Sequence, residues 1–164
     1  IKHFFKSLTF IGFSKEDCEN GGYFMEKTQK HIHEDNVPYG DYSGIYPEQM
    51  MRTMRAKRII APNGAIEHDE ILFGTLEIDA GAEYPPHRHQ APEVYYFIEG
   101  EAECLFGGKH FLASKGSVIQ TAPNEVHSFK NTGSEKFVAV AFWWAPNGDT
   151  QTLHCKLELV PNDE

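Results

Sequence analysis

The chain has 164 residues, 40% of them hydrophobic and 13% aromatic, and a formal net charge of −9. That size and apolar content suit one domain with extensions and exclude disorder as the default reading. The acidic balance argues against a nucleic-acid partner, which needs a basic patch, and is compatible with a small cationic or zwitterionic substrate.

Cys18, Cys104 and Cys155 are widely spaced and form no CxxC pair, which suggests neither a zinc ribbon nor a redox motif. Free thiols in a reducing, cytoplasmic setting are the expectation. No apolar run approaches the roughly 20 residues of a membrane helix, so no membrane partner is expected. Residues 1–24 are weakly patterned. Lys6 interrupts the apolar opening and no clear small-residue cleavage site follows, so no signal peptide is expected. Met25 after the turn-like ENGGYF suggests that the residues before it are an appended or upstream extension.

His31 and His33 form an HxH followed by Glu34 and Asp35. Pro38, Gly40 and Gly44 follow, and the segment lacks strand alternation, so it reads as an extended arm or solvated loop. Residues 47–57, PEQMMRTMRAK, read as a helix. Pro47 and Glu48 suit its first turn, and Arg55 and Lys57 its last. Met50, Met51 and Met54 form the apolar stripe that lays it against the rest of the protein. Residues 1–65 are thus expected to be an arm with a short helix, and residues 66–164 a barrel domain.

From about Lys57 onward short runs alternate with Gly, Pro and Asn punctuation: KRIIA, EILFGTLEID, PEVYYFIE, AECLF, KHFLA, SVIQTA, VHSFK, KFVAVAFWW and TLHCKLELV. This gives roughly nine to ten strands with no long helix between them, an all-β sandwich or small barrel of mainly antiparallel sheets. KFVAVAFWW is apolar on both faces and is expected to be buried on both sides.

The stretch from Gly81 to Gly100, GAEYPPHRHQAPEVYYFIEG, holds the chemistry. Alternate side chains of a strand share a face. His87, His89, Glu93 and Tyr95 share parity and point the same way if the register survives the break at Gln90 to Pro92. Arg88 falls on the opposite face and is expected to have no catalytic role. His127, beyond a turn in which Asn124 suits a left-handed backbone, is the candidate fourth ligand. Three histidines and one carboxylate suit a divalent transition metal, Fe, Mn, Ni, Co or Zn, with positions open for water or substrate. A structural zinc would more often use thiolates. His110 and His154 lack ligand spacing and read as packed or exposed.

Gly81, His87-x-His89, Glu93 and Gly100 follow the first cupin motif throughout. Gly116, His127 and Asn131 fit the second, although the proline is displaced to Pro123 and Asn124 stands where glycine is usual. The chain therefore resembles the cupin superfamily over about residues 66–160. This implies a double-stranded β-helix, the jelly-roll barrel, often a homodimer. YPPHRHQAPEVY, from Tyr84 to Tyr95, and Pro123, Asn124 and His127 resemble the cupin-type dimethylsulfoniopropionate (DMSP) lyases more narrowly. That resemblance implies His87, His89, Glu93 and His127 as metal ligands, Tyr95 as catalytic base and Tyr84 as a residue near the substrate. It implies a zwitterionic substrate with a carboxylate and a dimethylsulfonium group, cleaved to dimethyl sulfide and acrylate. A free tyrosine, with a pKa of about 10, is a poor base at neutral pH, but a nearby cation favours the phenolate. The sulfonium end suits aromatic faces, worth roughly 0.5–2 kcal/mol each. Tyr96, Phe97, Phe129, Phe142, Trp143 and Trp144 are the candidates, and alternation allows one of the two tryptophans to face the barrel interior. The competing readings are another metal-dependent cupin enzyme, a dioxygenase or isomerase, and a non-catalytic metal- or ligand-binding cupin.

Overall fold

The computed structural model describes residues 31–41, 48–154 and 156–161. The expectations for residues 1–24, Met25, Cys18 and Cys155 lie outside the described residues. After a 3-10 turn at Glu34–Asn36, the described elements run α1 Glu48–Thr53, β1 Met54–Ala61, β2 Ile66–Glu67, β3 Ile71–Ile78, β4 Glu83–Arg88 and β5 Glu93–Glu99. Then come β6 Glu101–Phe106, β7 Lys109–Ser114, β8 Val118–Thr121, β9 His127–Asn131 and β10 Phe137–Trp144. Two 3-10 turns, Pro146–Gly148 and Thr150–His154, lead to β11 Glu158–Leu159.

Two sheets face each other, as expected of a jelly-roll barrel. One is ordered β2-β1-β3-β10-β5-β8 and the other β11-β4-β9-β6-β7. The pairings are antiparallel except for the short β1–β2 contact. β10 lies between β3 and β5, so FVAVAFWW has ladder partners on both edges. Between the sheets Tyr95, Phe97, Phe129 and Phe137 are fully buried. The Phe129 ring stands edge-on to Tyr95 at 4.8 Å and to Phe106 at 5.3 Å, an arrangement that aligns ring edges with ring faces. Asn131, also fully buried, donates from its side chain to the carbonyls of Ile78 at 3.0 Å and Glu135 at 2.9 Å. It thereby ties the end of β9 to the end of β3.

The helix expected over residues 47–57 is corrected by the structure. It ends at Thr53, and Met54 opens β1, which pairs with β3 from Met54 opposite Ile78 to Ile60 opposite Phe73. A short isolated helix is marginal, whereas strand pairing engages the backbone from Met54 to Ile60 with β3, with one irregularity between Arg58 and Ile60. Met50 and Met54 are still buried, one from each element. The boundary expected at residues 65 and 66 falls between β1 and β3, two neighbouring strands of one sheet.

Candidate metal centre

The two sheets bring their inner faces together around His87, His89 and His127. All three are buried, and their ligand atoms lie within 4.8 Å of one another. His87 comes from β4 and His127 from β9, directly opposite each other in the ladder. His89 lies just past β4, where the chain crosses from one sheet to the other. Its carbonyl accepts the Asn124 N–H at 2.7 Å, and Asn124 has the left-handed backbone (φ 62°) expected of that turn.

The parity argument needs correction at this crossing. His87 and Glu93 do not share one ribbon, because β4 and β5 belong to different sheets. They converge because the sheets face each other. A second departure concerns Tyr84. Opposite β9, Tyr84 pairs with Phe129 and His87 with His127, so β4 spends three steps where β9 spends two. This bulge contains Pro85 and Pro86, and proline, lacking an N–H, is confined to edges and bulges of sheets. The extra residue turns Tyr84 onto the same inner face as His87. Its ring lies 4.2 Å from the His87 ring and parallel to Phe129 at 6.2 Å.

Each histidine is oriented in the same way. The His87 Nδ1–H donates to the Pro85 carbonyl at 2.8 Å, the His89 Nδ1–H to Ala91 at 2.8 Å and the His127 Nδ1–H to Glu125 at 2.9 Å. A carbonyl oxygen only accepts, so Nδ1 carries the proton and Nε2 presents a lone pair. Backbone partners of this kind fix the tautomer and ring orientation of metal-binding histidines. Burial drives the His87 pKa down to about 3. Burial, followed by the neighbouring His87 and His89, drives His127 well below its ordinary value. These two rings are neutral at neutral pH, as metal binding requires.

The surroundings of the three Nε2 atoms test the fit to a cation. The buried His87 Nε2 has no hydrogen-bond partner in the protein. Glu93 Oε2 lies 2.9 Å from His89 Nε2 and 3.7 Å from His127 Nε2. A lone pair and a carboxylate that close call for a positive charge between them. The residues therefore suit a metal ion; nitrogen and oxygen donors of this kind do not identify which one. Tyr95, from β5, donates its hydroxyl to His127 Nε2 at 3.2 Å.

Of the two tryptophans, Trp143 faces inward. It is 4% exposed and stacks on the His89 ring at 4.2 Å, while Trp144 stacks with Phe142 at 6.0 Å. Phe97 and Phe129 are also inside, and Tyr96 is exposed. Arg88 points away and forms a two-pronged pair with Glu158 at 2.8 and 2.9 Å. His110 is exposed, 4.0 Å from Glu103, and His154 is exposed. His33 caps the 3-10 turn by accepting the Asp35 N–H at 3.3 Å and takes no part in the cluster.

A narrow cavity adjoins the cluster. Tyr84, Glu93, Tyr95 and Trp143, each in contact with one of the three histidines, form one wall. Met54, Ala56 and Arg58 of β1 form another. The sequence reading missed Arg58. Its signal was alternation with Met54 and Ala56, hidden while these residues were assigned to a helix end.

A two-sheet barrel with a histidine cluster on the inner face is the architecture of the cupins. Residues 74–143 match the family model described as Cupin domain, and the described residues have the cupin fold. Within that class it resembles, distantly, dimethylsulfoniopropionate lyase DddQ of Ruegeria pomeroyi, with 28% identity over 95 residues, 57% of this chain and 45% of DddQ. The chain thus spans about half the length of this curated relative. The crystal structure of DddQ from the same organism superposes with a TM-score of 0.60 at 22% identity, covering 84% of this chain and 64% of that one. The polyketide cyclase RemF of Streptomyces resistomycificus superposes with a TM-score of 0.63 at 18% identity, covering 83% and 88%. A predicted oxalate decarboxylase of Thermotoga maritima gives 0.58 at 20%, covering 70% and 97%. At these identities the superpositions establish the fold, which unrelated chemistries share.

Proposed function

We propose that the protein is a metal-dependent carbon–sulfur lyase that cleaves DMSP, or a closely similar sulfonium zwitterion, to dimethyl sulfide and acrylate. The observation that carries the reading is the placement of Tyr95, whose hydroxyl meets His127 Nε2 at 3.2 Å inside the cluster. The similarity to DddQ supports it. His87, His89 and His127, with Glu93 beside them, are the groups that would hold a divalent ion. Such an ion supplies Lewis-acid stabilisation of negative charge developing on a substrate carboxylate and favours ionisation of a neighbouring phenol.

Tyr95 is the base in this reading. Its oxygen takes the proton from the carbon next to the carboxylate, and the C–H electron pair becomes the new carbon–carbon double bond. The bond from the adjacent carbon to sulfur breaks, and dimethyl sulfide leaves with that electron pair. Acrylate remains, and the proton stays on Tyr95 until it passes to solvent. Tyr84 and Trp143, on the cavity wall, offer aromatic faces to the sulfonium end. The buried rings of Phe97 and Phe129 keep water away from the reacting atoms.

Headspace analysis of dimethyl sulfide from DMSP, with the protein loaded in turn with Fe(II), Mn(II), Ni(II), Co(II) and Zn(II), tests the reading. Release above the protein-free rate is expected with at least one metal. No release with any of them discards the lyase and leaves a different metal-dependent cupin enzyme or a binding protein.

A further inference from the structure

The strand β10 is apolar on both of its faces, and the barrel core uses only one of them. Phe137, Ala139, Ala141 and Trp143 alternate inward and are buried. The residues between them point outward. Of these, Val138 is buried, but Val140, Phe142 and Trp144 are only half-buried. The burial on both sides expected from the sequence therefore holds at Val138 and fails further along the strand. An antiparallel sheet with one solvated face ordinarily alternates apolar inside with polar outside. β10 breaks that rule, and so do the strands beside it.

The register joins these residues into one patch. Phe142 is opposite Phe73 on β3 and Val94 on β5. Val140 is opposite Tyr96 on β5, and Tyr96 is opposite Val118 on β8, the edge of the sheet. Trp144 is opposite Ile71 and stacks with Phe142 at 6.0 Å. Tyr96 is 47% exposed and Val118 66%. No side chain in this set carries a charge. The polar part of the same outer face is already occupied. There the Tyr39 hydroxyl donates to Glu77 at 2.7 Å and the Thr75 hydroxyl donates to Glu34 at 3.0 Å. The segment before α1 thus takes Thr75 and Glu77 and leaves the apolar rows that reach Tyr96 and Val118.

We propose that this outer face is a self-association surface, which packs against the same face of a second copy of the chain across a two-fold axis. Charge is the first reason for a second copy. The chain carries −9 overall, so two copies repel unless the surfaces that meet are uncharged, and these are. Area is the second. β3, β10, β5 and β8 side by side, with strands of up to eight residues, span about 19 by 26 Å. Two such faces bury about 1,000 Å², the size from which specific interfaces are recognised. A contiguous apolar patch of several hundred Å² marks an interaction site. Two sheets bury such surfaces by packing face to face with interdigitated side chains. A two-fold contact needs no second kind of surface, because the same residues meet from both sides. Val94 and Tyr96 flank Tyr95 in the chain, and Phe142 and Trp144 flank Trp143, so the contact buttresses one wall of the metal centre from behind.

Sedimentation velocity of the full chain over a range of concentrations tests the proposal. Wild type is expected to sediment with twice the mass of the chain. The double variant Tyr96→Lys with Val118→Lys places a charge on each of the two most exposed residues of the patch. It is expected to associate at least tenfold more weakly and to run as a monomer, with an unchanged circular dichroism spectrum. Val118→Lys alone is the milder alternative if the double variant does not fold. Leu112→Lys is the control: Leu112 lies on β7 of the other sheet and is 75% exposed, and this variant is expected to remain a dimer. A monomeric wild type overturns the proposal, whatever else covers the face. A folded patch variant that associates as strongly as wild type also overturns it, as does dissociation of the Leu112→Lys protein. The readout needs neither substrate nor turnover, so the proposal stands or falls independently of the lyase reading.

Discussion

His87, His89 and His127 reach the cluster by one device: each ring donates its Nδ1–H to a carbonyl two residues away. The device is local, so it travels with the sequence segment, and the ring orientation is set before any metal binds. The Tyr95 hydroxyl shares this space through its contact with His127. Tyr95→Phe removes one oxygen and keeps the packing against Phe106 and Phe129. Loss of a general base typically costs about 10²–10⁴ in rate. Dimethyl sulfide release by this variant is expected to fall by that factor, with metal content unchanged by elemental analysis. Activity within a few-fold of wild type would remove Tyr95 from the mechanism. His87, His89 and His127, which the structure brings together, were legible in the sequence through the two-histidine spacing and the later turn, whereas parity did not describe how Glu93 and Tyr95 come to face them. The place of Arg58 on the cavity wall was not legible, because it depends on which strand stands beside it.

At the scale of elements, two irregularities shape the site. The bulge in β4 turns Tyr84 inward, and the close approach of β1 to β3 sets the wall that carries Arg58. A Cβ at Gly74 would run into the Lys57 carbonyl oxygen, so this contact requires glycine. Gly74→Ala is expected to destabilise the protein by about 1–3 kcal/mol through overpacking, read as a lower urea midpoint with an unchanged slope. An unchanged midpoint would show that β1 moves aside freely. On the outer face the segment before α1 is tied to the same sheet. The Tyr39 hydroxyl donates to Glu77 at 2.7 Å, and Lys136 and Arg55 lie 3.3 and 3.5 Å from that carboxylate. Burial alone would raise the Glu77 carboxyl, but the Tyr39 hydrogen bond and the two cations hold it below its ordinary value. The alternation of Arg55 and Lys57 with Arg58 follows from β1 being a strand, which the Met stripe had obscured.

At the scale of the molecule, the barrel buries neutral imidazoles that the unfolded chain would expose. An unfolded histidine titrates at about 6.5, whereas burial lowers His87 to about 3 and His127 well below its ordinary value. Between these limits the unfolded state binds more protons, so stability is present above about pH 6.5 and is lost as pH falls. Each such ring contributes up to about 1.4 kcal/mol per pH unit. The urea midpoint of metal-free protein is expected to drop steadily from pH 7 to pH 4. A midpoint flat over this range would mean that the rings take up protons without unfolding. The strand pattern, the two-histidine segment and the distant His127 were determined by the sequence alone, because alternation and turn chemistry are local. That β4 and β5 lie in opposite sheets, that Trp143 rather than Trp144 covers His89, and that Arg58 and Tyr95 line one cavity were decided by the tertiary structure. Each depends on strand neighbours far apart in the chain, and pairing of that kind is set by how two sheets share one core.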